Sequence, residues 1–380
     1  MSSPKPERPR FVVAMSGGVD SSVAAWMMGE EGYDVIGLFM RNGVKVEESE
    51  TRKKSCCSTS DARDARMVAA KLGLPFHSID LGQEFKQIIK YFLDEYSAGR
   101  TPNPCAVCNR DLKFDELLRF ADELGAEGIA TGHYARLDIE DGRVKVRRGV
   151  DRKKDQSYQL FCVSEANLRR TRLPLGGLQK PEVREMAEKV GLRTAKKADS
   201  QEICFVPSND YRQLLAQDGR ALHPGKFVDT QGKELGSHDG TEHFTIGQRR
   251  GHGIGGGTPF YVLEIIPAQG LVVLGPREEA DFQSMTVDSL NWIGFDVPAS
   301  GTFRCEAQHR YHCTPAPATV VVEGTRAVVT FDDPQLAVAA GQGAALYHGD
   351  LLLGGGWIHS AERVTVAGAE LDPASVDGDS

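Results

Sequence analysis

The chain has 380 residues, of which 40% are hydrophobic and 26% are charged, and its formal net charge is −8. This composition is typical of a globular protein, and the length predicts two or three domains. No apolar run approaches the roughly 20 residues that span a bilayer, which argues against a membrane-spanning helix. The acidic balance argues against a general nucleic-acid coat protein, although a local basic face remains compatible with it.

The N-terminal ten residues are basic and rich in proline, and the apolar run that follows covers only 11–15. That run is too short for a signal peptide, so we expect a cytoplasmic location and no membrane partner. Thiols stay reduced in the cytoplasm. The eight cysteines therefore do not predict a disulfide scaffold, and metal ligands or nucleophiles are the alternatives.

The first half of the chain alternates short apolar runs with helical periodicity. The pattern predicts strands over 11–15, 34–40, 76–81 and 128–137. It predicts helices over 19–32, 62–73, 85–99, 114–125, 180–191 and 209–219. Strands that alternate with helices indicate an α/β domain in which helices cover a parallel sheet.

After His223 the sequence changes to glycines, prolines and short β-branched runs, which are typical of small β-barrels or sandwiches. The acidic end of the chain is typical of a disordered tail. We predict four segments, namely an α/β domain over 1–212, a central β-rich domain over 213–282, a C-terminal β-barrel over 283–365 and the tail over 366–380.

The stretch AMSGGVDSS at 14–22 follows the first predicted strand and opens the first predicted helix. Its two glycines let the backbone approach a phosphate, and its hydroxyls and the first helical N–H groups can bind the anion. The lysine of a Walker A loop is missing. A plain serine–glycine turn with a helix cap is the alternative. The SGGxDS pattern resembles the signature of the PP-loop ATP pyrophosphatases, which cleave ATP between the α and β phosphates.

Three cysteines are candidates for chemistry: Cys105 and Cys108, which form a C-x-x-C pair, and Cys204. A structural zinc site needs four ligands, and only one cysteine pair of this kind is visible. Two cysteines that meet in space can instead act as a relay, in which one carries a persulfide and the other releases the sulfur. Three cysteines can also hold an iron–sulfur cluster with one open iron position.

Many separate motifs then occur in one order along almost the whole chain. With this set of motifs the chain resembles the tRNA-specific 2-thiouridylases, the MnmA/TrmU family of PP-loop enzymes. The motifs are AMSGGVDSS, GLFM (37–40), AGRTPNP (98–104), CN…KF (108–114), ATGHYAR (130–136), KDQSY (154–158), KPEVR (180–184), TAKKADS (194–200), ICF (203–205), HPGK (223–226), HFTIGQRRGHGIGG (243–256), RYH (310–312), GQ (341–342) and LGGGWI (353–358).

The resemblance implies a role for each matching residue. The positions that would bind ATP are Ala14, Met15, Ser16, Gly17, Gly18, Val19, Asp20, Ser21, Met40 and Gly132. The positions that would face the target uracil are Asn103, Pro104 and Cys105. Cys108 matches the nucleophile, and Cys204 matches the persulfide carrier. The positions that would contact tRNA are His133, Lys154, Asp155, Gln156, Arg310, Tyr311 and Gln342.

Cys105 departs from the family pattern, because many members have an aspartate at this position. A thiol is a poorer base than a carboxylate at neutral pH unless its surroundings lower its pKa. Cys105 is therefore either a third working thiol or, together with Cys108 and Cys204, a ligand of a [4Fe–4S] cluster. We prefer the persulfide relay. No residue is assigned to any other metal.

The resemblance implies ATP-dependent 2-thiolation of the wobble uridine in tRNAs of the Lys, Glu and Gln type. The implied cofactor is ATP with Mg²⁺, and the implied partners are the tRNA anticodon stem-loop and body and a sulfur donor, either a cysteine desulfurase or a sulfur-relay protein. The basic run over 143–154 fits either a tRNA backbone contact or a solvated hairpin face. The rival functions are a PP-loop ligase for a small molecule and a redox-sensing metal module.

Overall fold

The computed structural model describes residues 8–43, 59–199, 203–206, 211–255 and 259–364. Cys56, Cys57 and the predicted acidic tail lie outside these residues. The strands of the described part are β1 (Arg10–Ala14), β2 (Asp34–Arg41), β3 (Phe76–Asp80), β4 (Gly128–Ala130), β5 (Ala135–Glu140), β6 (Arg143–Arg148), β7 (Thr171–Arg172), β8 (Gly225–Val228), β9 (Glu234–His238), β10 (Tyr261–Ile266), β11 (Leu271–Gly275), β12 (Asp281–Trp292), β13 (Thr302–Gln308), β14 (Ala316–Glu323), β15 (Arg326–Leu336), β16 (Gly343–His348) and β17 (Leu351–Arg363).

Helices connect the early strands and flank the later ones. They are α1 (Val19–Glu30), α2 (Thr59–Leu72), α3 (Gly82–Ser97), α4 (Pro104–Cys108), α5 (Leu117–Glu123), α6 (Glu165–Arg169), α7 (Lys180–Lys189) and α8 (Tyr211–Asp218). No helix among the described residues is long and apolar enough to cross a membrane.

The α/β domain is built on a parallel sheet with the strand order β3-β2-β1-β4-β7. Alternate residues of β1 pack on opposite faces of this sheet. Phe11 and Val13 join a core with α1, α2 and α7, while Val12 joins a second core with α4 and α5. A sheet covered on both faces has this arrangement, which confirms the predicted α/β fold.

The predicted strand over 128–137 is two strands in the structure, which corrects the sequence-based prediction. β4 ends at Ala130 and β5 begins at Ala135, and the chain leaves the first sheet between them. The break lies where Gly132 packs on the start of α1, since a Cβ at Gly132 would lie 2.9 Å from the Ser21 nitrogen. The interruption therefore lies beside the stretch at 14–22 that is predicted to bind a phosphate, which we call the phosphate loop.

The helix that carries the C-x-x-C pair begins earlier than predicted. The sequence predicts a helix over 114–125, but helical backbone starts at Pro104, and a π-helical segment over Asn109–Glu116 joins α4 to α5. Proline is well tolerated in the first helical turn, where its missing N–H would have no helical partner. π-Helical turns are rare and often mark functional sites.

The central β-rich domain is a four-stranded sheet with the order β10-β11-β8-β9. Its core is small and is formed by Phe227, Phe244, Val262, Val272 and Leu274. The preceding helix α8 connects it to the first domain, because the ring of Tyr211 stacks on Tyr96 of α3 at a centroid distance of 4.2 Å.

The C-terminal domain is a closed barrel of six antiparallel strands. The order is β12-β15-β14-β13-β16-β17, and pairing of β12 with β17 closes it. This confirms the predicted β-barrel. The hairpin β5–β6 adds to the same sheet, because Leu352 of β17 pairs with Val146 of β6.

The hairpin and the barrel are also joined by charge. Arg143 pairs with Asp296, with an Nη1–Oδ2 distance of 2.8 Å, and Arg136 pairs with Asp350 at 2.9 Å. Arg152, just beyond the hairpin, pairs with the same Asp350 at 2.5 Å. Part of the basic run over 143–154 therefore faces carboxylates of the barrel, an arrangement that the sequence does not predict.

Candidate active site

The phosphate loop follows β1 and opens α1, as the sequence predicts. Gly17 has a φ angle of 74°, and a Cβ at this position would lie 2.3 Å from the carbonyl oxygen of Asp61. Only glycine satisfies both constraints. Gly18 is the N-cap of α1 and has no side chain to cap the helix. The helix start is therefore suited to binding an anion.

Hydroxyl groups hold the loop in shape. The Ser16 backbone N–H donates to Oγ of Ser21 at 3.1 Å, and the Ser21 hydroxyl donates to the Gly18 carbonyl at 3.3 Å. The Ser22 hydroxyl donates to the same carbonyl at 2.7 Å and accepts a bond from Thr194 at 3.2 Å. These bonds come from the protein itself and preorganise the loop, which lowers the entropy cost of holding a phosphate.

The other predicted ATP positions fall into two groups. Met15 and Val19 are buried, and their side chains belong to the core beside the loop. Ala14 and Met40 are partly buried on the opposite face of the sheet. The structure thus gathers the predicted positions around the carboxyl ends of β1, β2 and β4, the usual location of ligand sites in open α/β sheets.

Two lysines beside the loop are not assigned by the sequence analysis. Lys197 donates to the Gly17 carbonyl at 2.8 Å and also contacts Asp61 and Asp64 at 2.6 and 2.8 Å. Lys180 contacts both carboxylate oxygens of Asp20 at 2.6 and 2.7 Å. Both lysines lie in motifs of the family resemblance, KPEVR and TAKKADS, which are the only sequence signal for them.

Asn103 caps the helix that carries the C-x-x-C pair. Its side-chain oxygen accepts a hydrogen bond from the Ala106 N–H at 3.2 Å, and its amide donates to the Tyr158 hydroxyl at 3.4 Å. Pro104 occupies the first turn and is buried. Cys105 is exposed, whereas Cys108, one turn later, is half-buried. Of the three positions predicted to face the target base, Asn103 and Pro104 are buried and Cys105 is exposed.

Cys108 and Cys204 pack against the same hydrophobic cluster. Its buried members include Val107, next to Cys108, and Phe205, next to Cys204. Phe205 lies edge-to-face on Phe92 of α3, with a centroid distance of 5.2 Å. This contact anchors the neighbouring Cys204. The structure thus brings the two predicted sulfur-handling cysteines, distant in sequence, to one part of the domain, and neither is in a disulfide bond.

Other cysteines are in surroundings that suppress thiolate formation. Burial raises the pKa of the Cys162 thiol to about 12, and Cys162 donates to the Ala106 carbonyl at 3.4 Å. Burial also raises the pKa of Cys305, in the barrel core, to about 12, and it raises the pKa of Cys313. Thiols with such pKa values stay protonated at neutral pH and are poor nucleophiles.

We call α4, the helix that carries Cys105 and Cys108, the cysteine helix. The barrel contacts the segment just before it through Gln342. Its side-chain amide donates to the carbonyls of Thr101 and Pro102 at 3.2 and 2.8 Å. Tyr311, on the β13–β14 loop, is half-buried near Tyr158 and next to the exposed Arg310. Burial raises the pKa of Tyr311 to about 12. Three predicted tRNA positions, Arg310, Tyr311 and Gln342, therefore belong to barrel loops on the side of the cysteine helix.

The side chains at the remaining predicted tRNA positions bond to other residues of this protein. His133 is 7% exposed, and its Nδ1 lies 2.7 Å from the Thr131 hydroxyl. Burial lowers the pKa of His133 well below its usual range, so the imidazole is neutral. Asp155 is buried and pairs with Arg148 at 2.9 Å, and Gln156 accepts from the Tyr134 N–H at 3.1 Å. Lys154 is half-buried, and its ammonium nitrogen lies 2.6 Å from Oδ2 of Asp199.

A half-open cleft of about 340 Å³ lies between α3, the cysteine helix and the barrel. Val107, Arg110, Tyr91 and Trp357 are among its lining residues, and the Arg110 guanidinium lies 5.9 Å from the centre of the Trp357 ring. From the helical region that carries the C-x-x-C pair, the cleft is lined by Val107 and Arg110 rather than by the cysteines themselves.

Family models match the chain in three consecutive parts. Residues 9–208 match a model described as tRNA methyl transferase HUP domain. Residues 213–276 match the tRNA methyl transferase PRC-barrel domain, and residues 282–358 match the aminomethyltransferase beta-barrel domain.

Curated relatives match over nearly their whole length. The tRNA-specific 2-thiouridylase MnmA of Geobacter metallireducens is 46% identical, covering 93% of this chain and 98% of that protein. The proteins of the same name from Clostridium perfringens and Carboxydothermus hydrogenoformans are 44% and 46% identical, each covering 92% of this chain and 98% of the relative. A solved 4-thiouridine synthetase–RNA complex with bound ATP covers 55% of this chain and 50% of its own, at 20% identity and a TM-score of 0.34. On the identity and coverage of the curated relatives, this chain belongs to the family of tRNA-specific 2-thiouridylases.

Proposed function

We propose that this protein catalyses the ATP-dependent 2-thiolation of the wobble uridine in tRNA, in tRNAs of the Lys, Glu and Gln type. The observation that carries the proposal is the combination, in one domain, of a phosphate loop and two half-buried cysteines on a shared cluster. The curated relatives named tRNA-specific 2-thiouridylase support the choice of substrate.

The phosphate loop would bind ATP, which enters as its Mg²⁺ complex. The C2 carbonyl of uracil is a poor electrophile, and its oxygen is a poor leaving group. Attack of that oxygen on the α-phosphate releases pyrophosphate and makes AMP the leaving group. The N–H groups of the loop between Ser16 and Ser21 and the dipole of α1 would stabilise the departing pyrophosphate.

The sulfur step would use Cys108 and Cys204. The Cys108 thiolate attacks the inner sulfur of a persulfide on Cys204, which forms a Cys108–Cys204 disulfide and releases hydrosulfide. Hydrosulfide attacks C2 of the adenylated uracil, and AMP leaves with the bonding electron pair. A dithiol reductant then restores both cysteines. Packing of both residues on one cluster supports this pairing.

An iron–sulfur cluster held by Cys105, Cys108 and Cys204 is the alternative source of sulfur. Within the described ranges, there is no group of three or more histidine, cysteine, aspartate or glutamate residues that could hold a metal ion. Cys105 is exposed, while the other two cysteines are half-buried. The three residues do not fit a cluster in this arrangement, so we derive no step through one.

Base and tRNA recognition would be divided between the domains. Asn103, Pro104 and Cys105 would face the target uracil, which has to be splayed out of the anticodon loop to reach them. Arg310, Tyr311 and Gln342 would contact the tRNA from the barrel side. His133, Asp155 and Gln156 would support the site from within, and Lys154 would meet a tRNA phosphate. The anticodon stem-loop and the body of the tRNA would both be bound.

The persulfide on Cys204 has to come from outside the chain. A cysteine desulfurase or a sulfur-relay protein would supply it, and a persulfide passes between proteins only by direct approach of the two thiols. We expect the enzyme to work in the cytoplasm, where reduced thiols persist.

The test is thiolation of an unmodified tRNA transcript with ATP and a persulfide donor, using protein purified without oxygen. We expect one 2-thiouridine per pyrophosphate released, and loss of thiolation in Cys108→Ser and Cys204→Ser. Cys313→Ser is the matched control, because burial already suppresses that thiol. Iron and acid-labile sulfide are counted on the same sample.

The outcomes separate the alternatives. Activity without iron that survives Cys105→Ser supports the relay. About four irons per chain, with activity lost in Cys105→Ser, would replace the relay by the cluster. Absence of thiolation under all these conditions would contradict the proposed function itself.

A further inference from the structure

Lys180 is a buried lysine shared by two carboxylates. Its side chain is 9% exposed, and its ammonium nitrogen lies 2.6 and 2.7 Å from the Asp20 oxygens and 2.9 Å from Oδ1 of Asp199. A buried ammonium group is costly unless it is paired. Asp20 belongs to the first turn of α1, at the phosphate loop. Asp199 lies shortly before Cys204 in the sequence.

Asp199 is itself shared by further cations. Its Oδ2 accepts from the Lys154 ammonium at 2.6 Å, and its Oδ1 accepts from the Arg184 guanidinium at 2.7 Å. Burial acts to raise the pKa of Asp199, but the hydrogen bonds from Lys154 and Lys180 outweigh it and hold the pKa below its usual range. One charged carboxylate therefore connects the phosphate-loop lysine with Lys154.

The cluster is a shared network of charges. Three cations, Lys154, Lys180 and Arg184, share the carboxylates of Asp20 and Asp199, and the buried Asp151 accepts a hydrogen bond from the Lys180 N–H at 3.0 Å. The Tyr134 hydroxyl donates a further bond to Asp20 at 2.8 Å, so this carboxylate keeps one donor when a cation leaves it. Because Lys180 contacts both carboxylates, a change in its pairing with Asp20 alters the strength of the ion pair between Asp199 and Lys154.

We propose that Lys180 is a positioning residue that couples Mg·ATP binding at the phosphate loop to tRNA binding at Lys154, with Asp199 as the shared carboxylate. This inference rests on the proposed function. Mg·ATP brings its own cation close to Asp20, which weakens the hold of Asp20 on Lys180. Lys180 then strengthens its existing pair with Asp199, and the weakened pair between Asp199 and Lys154 releases Lys154 to meet a tRNA phosphate. The two ligands therefore strengthen each other's binding.

The test measures the dissociation constant of an unmodified tRNA transcript with and without a non-hydrolysable α,β-methylene analogue of Mg·ATP. We expect the analogue to tighten tRNA binding to the wild-type protein about fivefold or more, the usual lower range for coupled sites. In Lys180→Met the ratio falls to about one, while each ligand still binds alone. Reciprocity requires that tRNA tighten analogue binding by the same factor.

A second variant acts on the cluster from the other side. Asp199→Asn keeps the pair between Lys180 and Asp20 but removes the shared charge, and we expect it to abolish the coupling as well. If Lys180→Met does not fold, as judged by its thermal unfolding midpoint, Asp199→Asn alone provides the test of the coupling. Lys189→Met, an exposed lysine on the same helix, is the matched control and should keep the wild-type ratio.

Two results would overturn the inference. One is a wild-type protein that thiolates tRNA but shows no coupling between the analogue and tRNA. The other is a folded Lys180→Met or Asp199→Asn protein that keeps the full wild-type ratio. Failure of the proposed function is distinguishable, because the wild-type protein would then neither thiolate tRNA nor release pyrophosphate in its presence.

Discussion

The phosphate loop and the cysteine helix are built in different ways. The loop is held within the α/β domain, since Ser16, Gly18, Ser21 and Ser22 bond to one another and Thr194 and Lys197 bond to Ser22 and to the Gly17 carbonyl. The cysteine helix is held by the barrel as well. Asn103 bonds to Tyr158, and the segment before it bonds to Gln342 of the barrel.

This difference separates contacts within the α/β domain from contacts that reach the barrel. Nucleotide binding should survive changes that loosen the barrel, because the loop does not depend on it. Sulfur transfer should respond to changes in any of the three domains. The four predictions below test that division, from the largest expected effect to the smallest.

Thiol labelling should separate the cysteines most strongly. At pH 7.5 we expect iodoacetamide to modify the exposed Cys105 readily and to leave Cys162 and Cys305 unmodified in the folded protein. Raising a thiol pKa by about three units lowers its thiolate fraction about 1000-fold. Peptide mass spectrometry after timed quenching measures each rate. Labelling of Cys162 as fast as in urea would contradict the burial that we describe.

The phosphate loop should fail when Gly17 gains a side chain. In Gly17→Ala the new Cβ would lie 2.3 Å from the Asp61 carbonyl, and the backbone would keep a positive φ angle. We expect affinity for the ATP analogue to fall roughly 100-fold, the loss that a displacement of about 1 Å can cause. Calorimetric titration measures it.

Gly18→Ala is the matched control for this change. Gly18 has a φ angle of −94°, and the nearest atom to a Cβ there is Oγ of Ser16 at 3.5 Å, an ordinary contact. Because the protein leaves room for this Cβ, the affinity for the analogue should fall much less than in Gly17→Ala. Equal losses in both variants would mean that the loop responds to any added methyl group, not to the contact with Asp61.

The barrel should lose stability in acid through His309. This histidine is 2% exposed, and burial lowers its pKa to about 4 from 6.5. Between these values the unfolded chain binds a proton that the folded protein does not, so the free energy of unfolding falls as the pH falls below about 6.5. From pH 7 to pH 5.5 we expect a loss of roughly 1 kcal/mol.

His309→Gln removes this titration and tests the assignment. The variant is less stable at pH 7, but its pH dependence between 7 and 5.5 should be shallower than that of the wild-type protein by the stated amount. Urea titrations at several pH values measure both slopes. Parallel curves for the two proteins would assign the acid sensitivity to other groups.

The contact between the barrel and the cysteine helix should have a smaller effect. Gln342→Ala removes two hydrogen bonds to Thr101 and Pro102, each worth about 1 kcal/mol. We expect thiolation kcat/KM to fall about fivefold, with unchanged affinity for the ATP analogue. Gln335→Ala is the control, since its amide bonds only to the nearby Asp333 carbonyl. Loss of analogue binding in Gln342→Ala would show that the two regions are not independent.

The parts of the fold that depend on local patterns agree with the sequence prediction. β1, the loop and α1 occur where strand periodicity, paired glycines and a helical run predict them. The family resemblance carried the assignment of Cys108 and Cys204. Their meeting on one cluster needs packing of α3 with the segment around Phe205, which periodicity does not reveal.

Long-range pairing explains what the sequence did not predict. Nothing local in 135–148 indicates that this hairpin pairs with Leu351 and Leu352. The split of 128–137 into two strands depends on the close contact of Gly132 with α1. Lys180 and Lys197 appeared only as members of motifs, because their roles depend on which carboxylates the fold brings to them.

The attachment of the β5–β6 hairpin to β17 has a consequence for synthesis of the protein on the ribosome. The strands of the first sheet all lie before residue 173, so that sheet can form while the chain is still growing. The hairpin between them must wait for its partner strand β17, which begins only at Leu351. The nascent protein can therefore form its phosphate loop early, but the sheet that joins the hairpin to the barrel is completed only after Leu351 and Leu352 have been translated.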